Sequence, residues 1–242
     1  MLKIDLHTHT ADDPVDRIPY TTSQLIDRAT ELGYGALAIT LHDRQLDVRP
    51  LVSYAAERGI VLIPGIERTI EGRHVLLLNF TPGAEDVQSF ADLRKLRRHE
   101  PGLVIAPHPF FPTSSCLRGD LDRYADLFDA VEWNAMYTAS LNFNRRAEQW
   151  AVGHGKPIVG NGDVHRLPQL GTSFSLVDAA PDPDAICDAV KAGRVRVETQ
   201  PLAWTDAVSL FASMVIGDLL PRSPVRVSPS RSRANPVFER DI

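Results

Sequence analysis

The chain has 242 residues, of which 43% are hydrophobic and 24% charged, and a formal net charge of -5. Such a composition suits a globular protein with a substantial core, and one catalytic domain with a small appendage is the natural division. The acidic balance argues against a protein that grips nucleic acid through its general field, so no stable nucleic-acid binding is expected.

An anionic substrate would need local positive charge, which bound metal ions supply. Cys116 and Cys187 stand in no paired spacing, so neither a disulfide framework nor a thiolate zinc site is expected, and a reducing, cytoplasmic setting fits. The opening Met1-Leu2-Lys3-Ile4-Asp5 runs straight into a His-rich motif, which leaves no room for an export signal.

In chain order, short apolar runs alternate with amphipathic stretches, the pattern of repeated strand and helix units. Residues 3–6 predict the first strand. Residues 21–32 predict the first helix, with a Thr/Ser start, apolar Leu25, Ile26, Ala29 and Leu32 at helical spacing, and Gly33 as its stop. Further strands are expected at 36–40, 61–66, 74–80, 103–106, 130–133, 157–160 and 172–177, and helices at 51–58, 86–99, 141–154 and 182–192. So many strands in this order imply a mostly parallel sheet, closed into a barrel or strongly curled.

Residues 202–220 form the most apolar segment, yet the charge-free stretch between Asp206 and Asp218 is 11 residues, against the roughly 20 that span a bilayer. This is a docking helix in the present reading, with no membrane partner. Its apolar face needs cover, so Trp204 and Phe211 are expected to pack outside the barrel or at a homodimer contact. From Arg222 the chain turns to Ser, Pro and Arg, the composition of a disordered tail. The domain scheme is therefore 1–200 catalytic, 201–221 docking helix and 222–242 tail.

Metal-type residues fall at one topological place. His7, His9, His42, Glu67, His108, Asp163 and His165 all lie at or just past the end of an expected strand. In parallel α/β architectures those ends line the face where active sites are built. In Asp5-Leu6-His7-Thr8-His9, the period-two alternation of a strand puts both imidazoles on one side. Glu67 follows the apolar run 61–66, where a lone carboxylate is costly; Arg68 could serve as its partner, and two bridged metals would satisfy it better. His74 opens the run Val75-Leu76-Leu77-Leu78 and reads equally as an ordinary strand histidine. Pro107 and Pro109 fix the backbone around His108. Asp163-Val164-His165 repeats the alternation with one oxygen and one nitrogen donor. Mixed nitrogen and oxygen donors suit zinc, manganese or iron.

The order D-x-H-x-H, H-D, G-x-E, His before a leucine run, P-H-P and D-x-H, over roughly residues 1–195, resembles the PHP (polymerase and histidinol phosphatase) superfamily. The resemblance implies an α/β fold, a distorted (β/α)7 barrel, with two or three divalent ions at the C-terminal ends of the strands. By the family pattern His7, His9, Glu67 and Asp163 hold one ion, and Glu67, His74 and His108 a second. His42, His165 and an acidic residue from the loop after His9 hold a third. That loop offers Asp12 and Asp13, with Asp13 favoured. Leu41 stands where relatives commonly carry Asp, a carboxylate that is either replaced by Asp43 or simply lost.

The implied activity is hydrolysis of a small phosphate ester, histidinol phosphate-like or a nucleotide, by a metal-activated water. Arg44 and Arg166 are placed to neutralise phosphate charge, and His42 or His165 to shuttle a proton. Two rivals compete: a metallohydrolase of amides, lactones or other esters, and a catalytically silent metal-stabilised interaction module. The segment 108–120, with Phe110, Phe111 and Arg118, reads as core packing or as a pocket wall for a base or imidazole.

Overall fold

The computed structural model describes residues 1–80 and 82–219. Its strands are β1 (Leu2–Thr8), β2 (Ala36–Ile39), β3 (Val61–Ile70), β4 (Arg73–Leu78), β5 (Leu103–Ala106), β6 (Ala130–Asn134), β7 (Ile158–Asn161), β8 (Ser173–Val177) and β9 (Val195–Thr199). They form one 9-stranded sheet in the order β7-β6-β5-β4-β3-β2-β1-β8-β9. The helices are α1 (Thr22–Glu31), α2 (Val52–Ala56), α3 (Phe90–His99), α4 (Gly119–Arg123), α5 (Asn144–His154), α6 (Pro183–Lys191) and α7 (Trp204–Leu219).

The expected mostly parallel sheet needs correction. β1–β2, β2–β3, β5–β6 and β6–β7 are parallel, but β3–β4, β4–β5, β1–β8 and β8–β9 are antiparallel. The cause at β3–β4 is local. Glu71 and Gly72 both take positive φ, 49° and 79°, as the tightest hairpins require, so β3 runs to Ile70 and turns straight into β4. Glu is a weak signal for such a turn, which is why the pattern suggested separate strands at 61–66 and 74–80.

The sheet curls until its ends nearly meet. Gly160 on β7 donates its N–H to Ser175 Oγ on β8 at 2.8 Å, and a Cβ at Gly160 would stand 2.7 Å from the carbonyl oxygen of Phe174, so only glycine allows this approach. Further along the seam, His9 N–H donates to Val164 O at 3.2 Å. The result is a nearly closed barrel of mixed strand direction.

The helices pack outside through their apolar stripes. α1 starts in a capping box, with Thr21 Oγ1 accepting from Gln24 N–H and Gln24 Oε1 from Thr21 N–H. Its Leu25, Ile26 and Ala29 join Leu37 and Ile39 in one buried cluster. α3 begins only at Phe90, because Ser89 caps it, and it seats Phe90 and Leu93 against Val104 and Val131. α6, capped by Asp182, buries Ile186 and Val190. Each large side chain so buried contributes about 1.5–3 kcal/mol. Neither α4 nor β9 was expected: α4 is one short turn, and β9 is half-buried at the sheet edge.

α7 covers the expected docking helix. Leu202 N–H donates to Tyr137 O at 2.9 Å, and Trp204 Nε1–H donates to Ser140 Oγ at 3.1 Å. Among the described residues no helix is long and apolar enough to cross a membrane. The side chain of Phe211 and the expected tail 222–242 lie outside the described residues.

Candidate metal centre

β1 brings His7 and His9 to one side of the sheet, as its alternation demands. His7 Nε2 lies 3.2 Å from Glu67 Oε2 and 3.4 Å from Asp163 Oδ1. His9 Nε2 lies 3.4 Å and 3.5 Å from the same two oxygens, and His42 Nε2 is 3.2 Å from Glu67 Oε2. The other oxygen of Glu67 faces a different pair, with Oε1 2.7 Å from His74 Nδ1 and 3.1 Å from His108 Nε2. One carboxylate thus serves two sets of imidazoles.

Two placements differ from the strand-end expectation. Glu67 lies within β3, which continues to Ile70; the backbone of 41–43 bridges to it, Glu67 N–H donating to Leu41 O and Asp43 N–H to Glu67 O. His74 sits at the start of β4, and because β4 runs antiparallel to its neighbours, that start lies on the same side as His42 and His108.

The loop after His9 separates its acids. Asp13 Oδ2 lies 2.9 Å from His9 Nδ1 and 3.1 Å from His42 Nδ1, and accepts His42 N–H at 3.0 Å. Asp12 is exposed and accepts from Thr22 Oγ1 instead. Asp16, which sequence reasoning missed, places Oδ2 2.8 Å from His165 Nε2 and 3.6 Å from His42 Nδ1. Its only signal was a further carboxylate a few residues beyond the expected pair. His165 Nδ1 also lies 3.5 Å from Asp163 Oδ1.

A second missed residue supports the first two. Glu132 is completely buried on β6. Its Oε1 is 2.8 Å from His7 Nδ1, and its Oε2 accepts His108 N–H at 2.7 Å. Asn134 Nδ2–H and Asn161 Nδ2–H donate to it as well. A charged residue inside the apolar strand 130–133 was the available clue. Below this layer Asp5 accepts the N–H groups of His7 and Gly162, and burial pushes its carboxyl up to about 8. Asp163 and His108 hold positive φ, 47° and 29°, a strain of about 1–3 kcal/mol each that characterises functional sites.

Electrostatics tie the cluster together. Burial alone would lower the imidazoles of His7 and His9, but the surrounding carboxylates outweigh it and hold both well above their ordinary value. Burial likewise opposes ionisation of Glu67 and Asp163, yet the imidazoles keep both carboxyls well below theirs. The carboxylates therefore demand positive charge in their midst.

These residues fit divalent metal binding. Ligand atoms of His7, His9 and Glu67, of His9, Asp163 and His165, and of His42, Glu67 and His74 lie within 4.8 Å of one another in each group. Buried His9 Nε2 has no hydrogen-bond partner, and His74 Nδ1 faces Glu67 without the alignment of a hydrogen bond. A buried polar atom left so costs about 1–3 kcal/mol. Nitrogen lone pairs converging on carboxylate oxygens are what a shared cation satisfies.

Two smaller expectations are corrected. Asp43 does not stand in for the missing acid at Leu41: its Oδ1 accepts from Arg68 Nη1–H and Thr69 N–H at 2.7 Å each. Arg68 is accordingly engaged with Asp43 and with Val87 O, not with Glu67. Arg44 Nη1–H donates to Asp12 O at 3.3 Å, and Arg166 Nη1–H to the carbonyls of Arg17 and His165.

Comparison with known proteins agrees with this picture. Residues 142–195 match the family model described as PHP-associated, while no curated protein matches the sequence. The fold is similar to that of a two-domain Bacteroides vulgatus protein containing a PHP-like metal-dependent phosphoesterase, with a TM-score of 0.62 and 19% identity over 88% of this chain and 69% of that one. It is also similar to a lesion-specific endonuclease from Pyrococcus furiosus, with a TM-score of 0.53 and 16% identity over 87% of this chain and 66% of that one. A third likeness is to an amidohydrolase from Chromobacterium violaceum with bound sulfate, at a TM-score of 0.52 and 17% identity over 85% and 96%. The chain thus shares its fold with these proteins, and its residues 142–195 match the PHP-associated model.

Proposed function

We propose that this chain is a metal-dependent hydrolase that cleaves a phosphate ester of a small molecule or nucleotide at a site of two or three divalent ions, zinc, manganese or iron. The observation that carries the reading is Glu67, which turns Oε2 to His7, His9 and His42 and Oε1 to His74 and His108. That is the posture of a carboxylate shared by two ions. In this assignment His7, His9, Glu67 and Asp163 hold one ion, and Glu67, His74 and His108 the second. The third falls to His42 and His165, with Asp16 as the acidic member in place of the loop acids favoured from sequence. Asp13 then orients His9 and His42 from behind.

When bound, such ions activate water near neutral pH and neutralise the phosphoryl oxygens. The chain's own contribution is arrangement: Glu132 and Asp13 hold rings in position, and burial of the cluster strengthens every charge interaction within it. His165 or His42, where free of metal, moves a proton at Nε2, the atom that His165 turns to Asp16. Arg44 and Arg166, each using Nη1 on a carbonyl, would offer their remaining donors to a phosphate.

The fold shared with an endonuclease brings nucleic-acid phosphodiesters into the range of substrates, despite the acidic net charge. The fold shared with an amidohydrolase keeps a carbonyl substrate as the second reading. Metal-replete protein assayed on p-nitrophenyl phosphate, nucleoside monophosphates and abasic duplex DNA, beside ester and lactone substrates, separates these. Phosphate release that falls about a hundredfold or more in His9→Ala and Glu67→Ala is expected. Turnover of carbonyl substrates alone favours the second reading, and binding without any hydrolysis favours an interaction module.

A further inference from the structure

We infer that the Cys116 thiol is the positioning partner of His108, fixing which ring nitrogen faces Glu67, an inference that rests on the metal-centre reading above. Four of the clustered imidazoles have Nδ1 held by an oxygen: His7 by Glu132, His9 and His42 by Asp13, and His165 by the carbonyl of Asp163. His108 departs from this pattern. Its Nδ1 lies 3.5 Å from Cys116 Sγ, while its Nε2 lies 3.1 Å from Glu67 Oε1.

The hydrogens can be accounted for atom by atom. An imidazole that offers the Nε2 lone pair to a cation carries its hydrogen on Nδ1, and that N–H donates to the sulfur. The thiol hydrogen then needs an acceptor, and Thr113 Oγ1 stands 3.0 Å from Sγ. With Nδ1–H engaged, the neutral ring keeps the tautomer that leaves Nε2 open.

A separate observation ties the same loop to the other histidine on this side of Glu67. His74 N–H donates to Ser115 O at 2.8 Å, and Arg73 Nη1–H donates to the carbonyl of Cys116 at 3.2 Å. The segment 113–116 therefore sets the backbone of His74 and the ring of His108 together. Cys116 itself is fully buried, so its sulfur is held rather than displayed, and a neutral thiol takes the place that a carboxylate fills behind His7.

The test measures zinc affinity by chelator competition and zinc content by elemental analysis, with ring nitrogen NMR of His108 in the zinc-loaded protein. Wild type, Cys116→Ser and Cys116→Ala are compared, and the melting midpoint of each metal-free chain controls for folding. Serine retains both a donor and an acceptor, so Cys116→Ser should stay within a few-fold of wild type. Cys116→Ala should weaken one zinc by about 10–100-fold, leave the others in place and shift the His108 ring signals. A Cys116→Ala protein that matches wild type in zinc affinity and ring signals overturns the inference, as does a Cys116→Ser protein that loses as much affinity as Cys116→Ala. A wild-type chain that takes up no zinc sinks the metal centre itself, and the inference with it.

Discussion

Glu132 and His7, 125 residues apart in the chain, meet at 2.8 Å with neither side chain open to solvent. A buried carboxylate behind an imidazole fixes the ring's orientation and raises the basicity of its far nitrogen. Glu132→Gln keeps the shape but removes the charge, so metal affinity and activity should each fall about 10–100-fold. Titration with zinc under chelator competition reads the first directly. Unchanged affinity would mean that His7 is held by its backbone alone.

The loop acids should behave in three distinct ways. Asp12 is exposed and its carboxylate accepts from Thr22 Oγ1, so Asp12→Ala should change stability by no more than about 0.5 kcal/mol and leave the metal content intact. Asp16 contacts His165 and His42, and Asp16→Ala should remove one ion while the others remain. Asp13→Ala should loosen two rings at once, because its Oδ2 faces both His9 and His42. Metal-to-protein ratios from elemental analysis of the three variants decide; equal ratios in all three would refute the placement of Asp16.

Stability of the metal-free chain should depend on pH from both sides. The imidazoles of His7, His9 and His108 are held above their ordinary value. Their contribution is fully present below about 6.5, the unfolded value, and is lost as pH rises through the higher folded values. Glu67 and Asp163 are held below theirs. What they contribute is present above about 4 and is lost as pH falls through the lower folded values. The melting midpoint should thus drop on the alkaline side, and zinc, which takes imidazoles in the neutral form, should remove that drop. A metal-free protein whose midpoint is flat from pH 6 upward to about 9 would contradict the sign argued here.

The sequence was most legible where chemistry and periodicity coincide. His7, His9, Asp163 and His165 could be placed because alternation at a strand end leaves little freedom. Glu67 was legible as a costly carboxylate, although its strand runs further than the apolar run suggested. Asp16 and Glu132 were hidden for opposite reasons. Asp16 lies beyond the expected acids in a loop without periodicity, where only the folded turn brings it to His165. Glu132 sits within a strand that read as plain core, and its partner is remote in sequence. Strand direction was equally opaque, since the positive φ at Glu71 and Gly72 reverses the chain with little signal in the residue types.

α7 offers a test of self-association. Trp204 and Val208 are four residues apart on one face and remain 56% and 62% exposed, and residues at that spacing form a common surface. A homodimer through this face is expected to run as such in size-exclusion chromatography, and a chain ending at Gln200 as a monomer. Identical monomeric elution of both would dismiss it.

Gly162 provides the sharpest steric prediction. A Cβ there would stand 2.4 Å from Val164 Cγ2 and 2.7 Å from Asp5 Oδ2, and Asp5 is the acceptor for the N–H of His7. Gly162→Ala must therefore displace the side chains of Val164 and Asp5, at a cost of about 1–3 kcal/mol. For a chain of this size that corresponds to a fall of about 2–4 °C in melting midpoint for each kcal/mol. The same displacement should weaken metal binding, because Asp5 holds the N–H groups of both His7 and Gly162, the residue before Asp163. A variant that melts and binds zinc as the parent does would show that the seam between β1 and the Gly162 turn has room for the methyl.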